Sequence, residues 1–174
     1  GDELWRYVEH RADESSGTAH TVAIDSAGAV FAAGETYVNG PAVFVNAVKL
    51  AGGDGHVMWQ ATVDGGSRSQ GMALDPQGNA YLAATLSRPG GSDFGVIALA
   101  GVTGAIRWRA HVSTADDKWQ EAFRVVVDSA GDVVAAGLTQ TPTSAGFTAA
   151  KFAGSDGTTR WQQTLHGTKP QGHN

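Results

Sequence analysis

Gly104-Ala105-Ile106-Arg107-Trp108 decides the fold, because its outline returns elsewhere in the chain. Gly1 stands ahead of Trp5, Gly55 ahead of Trp59 and Gly157 ahead of Trp161, each Gly four residues before its Trp. Successive tryptophans of this set lie 54, 49 and 53 residues apart. A second marker keeps the same beat. Asp25-Ser26-Ala27-Gly28, Asp75-Pro76-Gln77-Gly78 and Asp128-Ser129-Ala130-Gly131 share the form Asp-x-x-Gly, spaced by 50 and 53 residues. Self-similarity at a fixed period of this length marks a solenoid, a propeller or an array of repeats.

One unit reads most clearly in the middle of the chain. Gly71–Asp75, Asn79–Thr85, Phe94–Leu99 and Ile106–Val112 are short apolar or alternating runs separated by Gly, Pro, Asp and Ser. Such runs are strands. No window carries a sustained apolar stripe of helical period, so no substantial helix is expected. Asp-x-x-Gly between the first two runs fits a tight hairpin, in which Asp caps the turn and Gly supplies a positive φ. Asp54-Gly55 and Asp156-Gly157 repeat that chemistry before the fourth run. Four antiparallel strands in about fifty residues make one blade of a β-propeller. The expected fold is therefore all-β.

The units fall at 17–66, 67–115 and 116–167. In the first, strands are expected near Thr21–Asp25, Val30–Glu35, Val43–Leu50 and Val57–Val63. The second connections are read as loops: Thr36–Ala42 with its Asn39-Gly40 turn, Leu86–Asp93, and Thr139–Gly146. Residues 1–13 match only the fourth strand of a unit, and are expected as the outer strand of a preceding blade. Residues 168–174 match the approach to a further first strand, with His173 in the place of His20. Propellers usually close with four to eight blades. Three units and two fragments therefore leave two readings open: an excerpt of a longer propeller, or a part-propeller whose copies complete one another. Unpaired strand edges predict association or aggregation in solution.

Composition narrows the function classes. The 174 residues include 12 Lys and Arg against 17 Asp and Glu, a net charge of −5. That balance argues against a nucleic-acid partner, which needs a basic face. With no cysteine, disulfides, thiolate metal sites and Cys nucleophiles are excluded. No apolar run is long enough to insert into a membrane. The 24 glycines suit tightly turned sheets.

The apolar run, Asp75-Pro-Gln-Gly-Asn-Ala-Tyr81, Gly137-Leu-Thr139, Asp93-Phe94, Lys49-Leu50, Lys151-Phe152 and the Gly-x-x-x-Trp segments resemble the bacterial seven-bladed β-propeller (SBBP) repeat. Thr103-Gly104-Ala-Ile-Arg-Trp108 also resembles the tryptophan-docking motif of quinoprotein (PQQ) dehydrogenases, in which the Trp packs between neighbouring blades. The vicinal cysteine pair used by many quinoproteins is missing here, so the resemblance implies shared blade packing and no cofactor.

Trp5, Trp59, Trp108 and Trp161 are accordingly read as structural wedges. A buried Trp removes about 150–250 Å² from water, worth roughly 4–6 kcal/mol as an upper bound. Trp119 falls outside the repeat, beside Asp116-Asp117-Lys118, and is the candidate contact residue. No catalytic, cofactor-binding or metal set is read. None of His10, His20, His56, His111, His166 and His173 has helical zinc spacing, although stacking of blades could align some of them. Each Asp-x-x-Gly carries a single carboxylate, unlike a calcium loop. No Gly-x-Ser-x-Gly elbow occurs, and Gly52-Gly53-Asp54-Gly55 and Gly90-Gly91 lack the Lys and following helix of a phosphate loop. The expected function is a non-catalytic scaffold that contacts protein, itself included, or glycan, within a secreted, cell-surface or periplasmic protein. Two alternatives stay open: a fragment of a propeller enzyme whose site lies in other blades, and a self-assembling structural subunit.

Overall fold

A computed structural model describes residues 1–9, 14–38, 42–112, 119–140 and 144–166. Among these residues twelve strands fill three four-stranded antiparallel sheets, and each sheet keeps its strands in chain order. Sheet one holds β1 (Glu14–Ile24), β2 (Val30–Val38), β3 (Val43–Leu50) and β4 (Val57–Val63). Sheet two holds β5 (Gly66–Leu74), β6 (Ala80–Arg88), β7 (Gly91–Leu99) and β8 (Ile106–Val112). Sheet three holds β9 (Gln120–Val127), β10 (Val133–Gln140), β11 (Ala145–Phe152) and β12 (Thr159–His166). This is the expected blade-like, propeller-type all-β architecture.

The first strands of successive sheets are neighbours, β1 beside β5 and β5 beside β9. Arg124 Nη1 on β9 donates to the Gln70 carbonyl on β5 at 3.0 Å. The Asp-x-x-Gly turns close the first hairpin of each sheet by local chemistry alone. Asp25 Oδ1 accepts from the amides of Ala27 and Ala29, Asp75 Oδ1 from Gln77 and Asn79, and Asp128 Oδ1 from Ala130 and Asp132, all at 2.8–3.0 Å.

Alternation then sorts each strand between two faces. On the face that looks toward the following sheet, here called leading, sheet one places Phe31, Ala33, Val45, Ala47, Trp59 and Val63. These pack on Ala80, Leu82, Ala84, Ile97 and Leu99 of the trailing face of sheet two. The leading face of sheet two repeats the scheme with Tyr81, Ala83, Phe94, Val96, Trp108 and Val112, packed on Val125, Val133, Ala135, Ala150 and Phe152. Two cores of the same design therefore hold three sheets.

Three features differ from the sequence expectation. The central strands begin earlier than their apolar runs, β1 at Glu14 and β5 at Gly66. Register shifts between Ala19 and Thr21 and between Ser69 and Gly71 break the alternation there, which hides the strand from a period-2 reading. The second connections are shorter than expected: Thr36–Val38 belong to β2, Thr139 and Gln140 to β10, Ala145 and Gly146 to β11, and Leu86–Asp93 is no loop. β6 and β7 pair out to Arg88 and Gly91 around Pro89-Gly90, with Gly90 at φ 85°. The segment expected as an outer strand also differs. Residues 1–9 join no ladder among the described residues. The Asn39-Gly40 turn, residues 10–13 and residues 168–174 lie outside the described residues.

Candidate interaction site

The sheet junctions share one device. Trp59 on β4 is buried, and its Nε1 donates to the Gly101 carbonyl in the β7–β8 loop of the following sheet at 3.0 Å. The ring lies flat against Gly104 of that loop. A Cβ at Gly104 would stand 2.6 Å from Trp59 Cε3, and the residue holds φ +71°. Trp108 on β8 treats sheet three identically, with Nε1 donating to the Gly154 carbonyl at 3.0 Å and the ring seated on Gly157. Trp5 does the same to sheet one, donating to the Gly52 carbonyl at 2.9 Å and covering Gly55. The Gly and the Trp of one Gly-x-x-x-Trp motif thus serve two different junctions. Gly104 receives the indole from the sheet before, and Trp108 delivers one to the sheet after.

The loop that receives the ring is built locally. Gly104 N donates to Ala100 O, and Gly157 N to Ala153 O, each at 2.8 Å. In two of these loops the Asp ahead of the Gly braces the turn, Asp54 Oδ1 accepting from the His56 amide at 3.1 Å and Asp156 Oδ1 from the Thr158 amide at 2.9 Å. These amide bonds favour the charged form and hold both carboxyls below their ordinary range.

A second aromatic backs each interior indole. Phe31 meets Trp59 edge-on at 5.7 Å between centroids, and Tyr81 meets Trp108 at the same distance, tilted by 42°. Lys49, on the same face, reaches Asp25 Oδ2 at 3.1 Å and donates to the Gly101 carbonyl at 3.1 Å. It therefore crosses the junction to the acceptor that Trp59 uses. In sheet two Ala98 stands in its place, and Tyr81 instead donates to Asp75 Oδ2 at 3.0 Å while Arg107 Nη1 donates to the tyrosine oxygen at 3.3 Å. Burial, helped by Asp75, pushes the Tyr81 hydroxyl above its ordinary range.

Sheet three carries a leading face of the same plan, with Val134 where sheets one and two place Phe31 and Tyr81, and nothing packs against it among the described residues. In register, Phe147 and Leu165 pair across β11–β12 as Val45 and Val63 do in sheet one and Phe94 and Val112 do in sheet two. The two interior pairs are at most 3% exposed, whereas Phe147 is 57% and Leu165 70% exposed. Trp161 is 42% exposed against 7% for Trp59 and 8% for Trp108. Lys151 occupies the Lys49 position and pairs with Asp128 at 2.7 Å and Asp132 at 3.2 Å. Of the four expected wedges, then, Trp59 and Trp108 are buried wedges, Trp5 is a half-buried one, and Trp161 is a wedge with no slot.

The trailing face of sheet one is the matching half. Val22 and Ile24 are 68% and 66% exposed there, where their counterparts Met72, Leu74 and Val125 pack on the preceding sheet. Residues 5–9 cover only the outer side of this face, where Gln60 donates to the Tyr7 hydroxyl. They leave a cleft of about 470 Å³ against Val30, Ala32, Val48 and Leu50.

The remaining candidates fall elsewhere. Trp119 immediately precedes β9 and is 59% exposed. His20, His56, His111 and His166 are not gathered, and no cluster of three or more His, Asp or Glu suited to a metal occurs among the described residues. His10 and His173 lie outside them. The three Asp-x-x-Gly turns line a funnel of about 610 Å³, but their carboxylates are engaged with turn amides, Lys49, Tyr81 and Lys151. Glu35, buried between sheets one and two, lies 2.9 Å from His20 Nε2 as an ion-pair contact without hydrogen-bond alignment, and 3.7 Å from Arg68 Nε. The repeat signal could have pointed to Gly101 and Gly154, which recur three residues before each socket glycine. Their role as acceptors for a distant indole leaves no local mark.

No family model and no curated protein matches the sequence. Among solved structures, a protein of unknown function from Bacteroides caccae, determined at 1.35 Å, aligns over 86% of this chain at 10% identity with a TM-score of 0.42. This chain spans 62% of that protein's length. No helix among the described residues is long and apolar enough to cross a membrane.

Proposed function

We propose that the chain is a non-catalytic scaffold module of the SBBP type, whose biochemical act is to dock protein sheet-to-sheet at the ends of its stack. One observation carries the reading. At Phe147, Lys151, Trp161 and Leu165 the leading face of sheet three repeats the register of two faces that are buried junctions elsewhere in the molecule, and among the described residues it stands open. An apolar face rimmed by polar residues marks an interaction surface. The polar groups that could suggest chemistry are engaged in holding turns and junctions. A secreted, cell-surface or periplasmic setting follows the family resemblance and belongs to this proposal.

The test is to append a further unit after residue 174, using a second copy of residues 64–112, which carry the Gly101 acceptor and the Gly104 seat. If the face docks sheets, the extended chain buries Trp161, its emission shifts to the blue, and the thermal midpoint rises. Trp161→Ala should then destabilise the extended chain while leaving the parent nearly unchanged. An appended unit that unfolds independently, with Trp161 emission unaltered, would refute the reading.

A further inference from the structure

We infer that the occupant of the open leading face is the trailing face of a second copy of this chain, and that residues 1–9 regulate this contact by occupying the same socket. The inference rests on the docking reading above and names its partner.

Both halves of a junction are present on one molecule. Trp161, Phe147 and Leu165 make the leading half on sheet three. Val22, Ile24 and the Gly52–Gly55 loop make the trailing half on sheet one. In the two interior junctions the equivalent halves meet as Trp59 with Gly101 and Gly104, and as Trp108 with Gly154 and Gly157. A copy docked in the same manner seats Trp161 on Gly55 and gives its Nε1 the Gly52 carbonyl. Lys151 takes the role of Lys49, which already donates to the equivalent carbonyl, that of Gly101. No new kind of contact is required.

Trp5 holds that carbonyl and that glycine now. One socket accepts one indole, so docking of Trp161 and docking of Trp5 exclude each other. The resident segment is the weaker competitor. It brings a half-buried indole and contacts that include the Gln60–Tyr7 bond, but it leaves Val22 and Ile24 in water and the 470 Å³ cleft unfilled. A whole sheet fills both. The contact joins unlike faces, so it is head-to-tail and either closes a ring or propagates. Two copies closing on each other make six sheets, a size common among propellers, and every Trp of sheets one to three then has a seat.

Sedimentation over a range of concentrations tests this on the full chain, on Trp5→Ala and on a chain lacking residues 1–9, each checked by circular dichroism for an intact sheet signal. Expected is concentration-dependent association of the full chain, strengthened about tenfold or more by either change at the socket, the least that loss of a competing indole should release. Leu165→Lys and Ile24→Lys alter exposed side chains, spare the fold, and each should abolish closed association alone. Mixed together, they should associate again, because one junction between them, Leu165 of one variant against Ile24 of the other variant's unaltered partner face, remains apolar. A folded chain lacking residues 1–9 that stays monomeric at every concentration overturns the inference. So does a mixture of the two variants that associates no more than either variant alone at any concentration, because its one unaltered junction should still hold an open pair. If the extended chain of the preceding test buries Trp161 while the parent never self-associates, the docking face stands and only the identity of its partner is wrong.

Discussion

At the scale of the residue, the same amino acid at the same repeat position has different worth according to what lies beyond it. Trp108 donates to Gly154 and touches Gly157, so Trp108→Ala removes a buried ring and a satisfied donor. A cost of about 3–5 kcal/mol is expected in urea unfolding. Trp161 ends the same Gly-x-x-Arg-Trp motif and is 42% exposed. Trp161→Ala in the dissociated chain should cost less than about 1 kcal/mol. Equal losses for the two variants would contradict the junction geometry. Gly104→Ala meets two obstacles together, a φ of +71° and a contact of 2.6 Å with the Trp59 ring. It should lose more than about 2 kcal/mol, with a red shift of Trp59 emission as the ring is lifted from its seat.

At the scale of the element, the turns carry the acid sensitivity. The Lys151 ammonium, then the amides of Asp132 and Ala130, hold Asp128 below the usual carboxylate range, against opposition from burial. Asp128, with Asp132, holds Lys151 above the usual ammonium range. A lowered folded-state carboxyl contributes stability that is present above its unfolded value, about 3.9, and is lost as pH falls through the folded value. A raised ammonium contributes stability present below about 10.4 and lost as pH rises through its folded value. These groups therefore predict a plateau between, with loss below about pH 4. Asp128→Asn should flatten part of that acid limb in urea midpoints, and raised salt should shrink the difference because the pair is near the surface. An acid limb unaltered by the substitution would show that the pair contributes nothing. The turns were legible in the sequence because their chemistry is local: Asp25, Asp75 and Asp128 each bond amides two and four residues on. The strand starts at Glu14 and Gly66 were not, since bulges invert the alternation that marks a strand. The Gly–Trp spacing was plain, yet which glycine seats which ring was not, because Trp59 and its acceptor Gly101 are 42 residues apart and in different sheets.

At the scale of the whole molecule, stability should be graded along the stack. Sheet two is packed on both faces, and Ala80, Leu82, Ala83, Ala84, Val96, Ile97 and Leu99 are fully buried. Sheet three has one open face, and sheet one is partly covered by residues 5–9. Amide hydrogen exchange of the dissociated chain should therefore be slowest in β6 and β7 and faster in β12, where all but one residue is exposed. Uniform protection across the three sheets would show that they open only as one unit.

Because socket and plug of each motif face opposite ways, the stretch between one tryptophan and the next is an interchangeable segment. Removing Gly55–Thr103 or inserting a second such stretch would leave every inner ring with a glycine to rest on and every acceptor loop with a ring to hold. A gene for such a chain can gain or lose whole segments by unequal recombination, and the product inherits matched neighbours without compensating substitutions. Variation in copy number is then tolerated by the architecture itself, while single changes at the glycines are not.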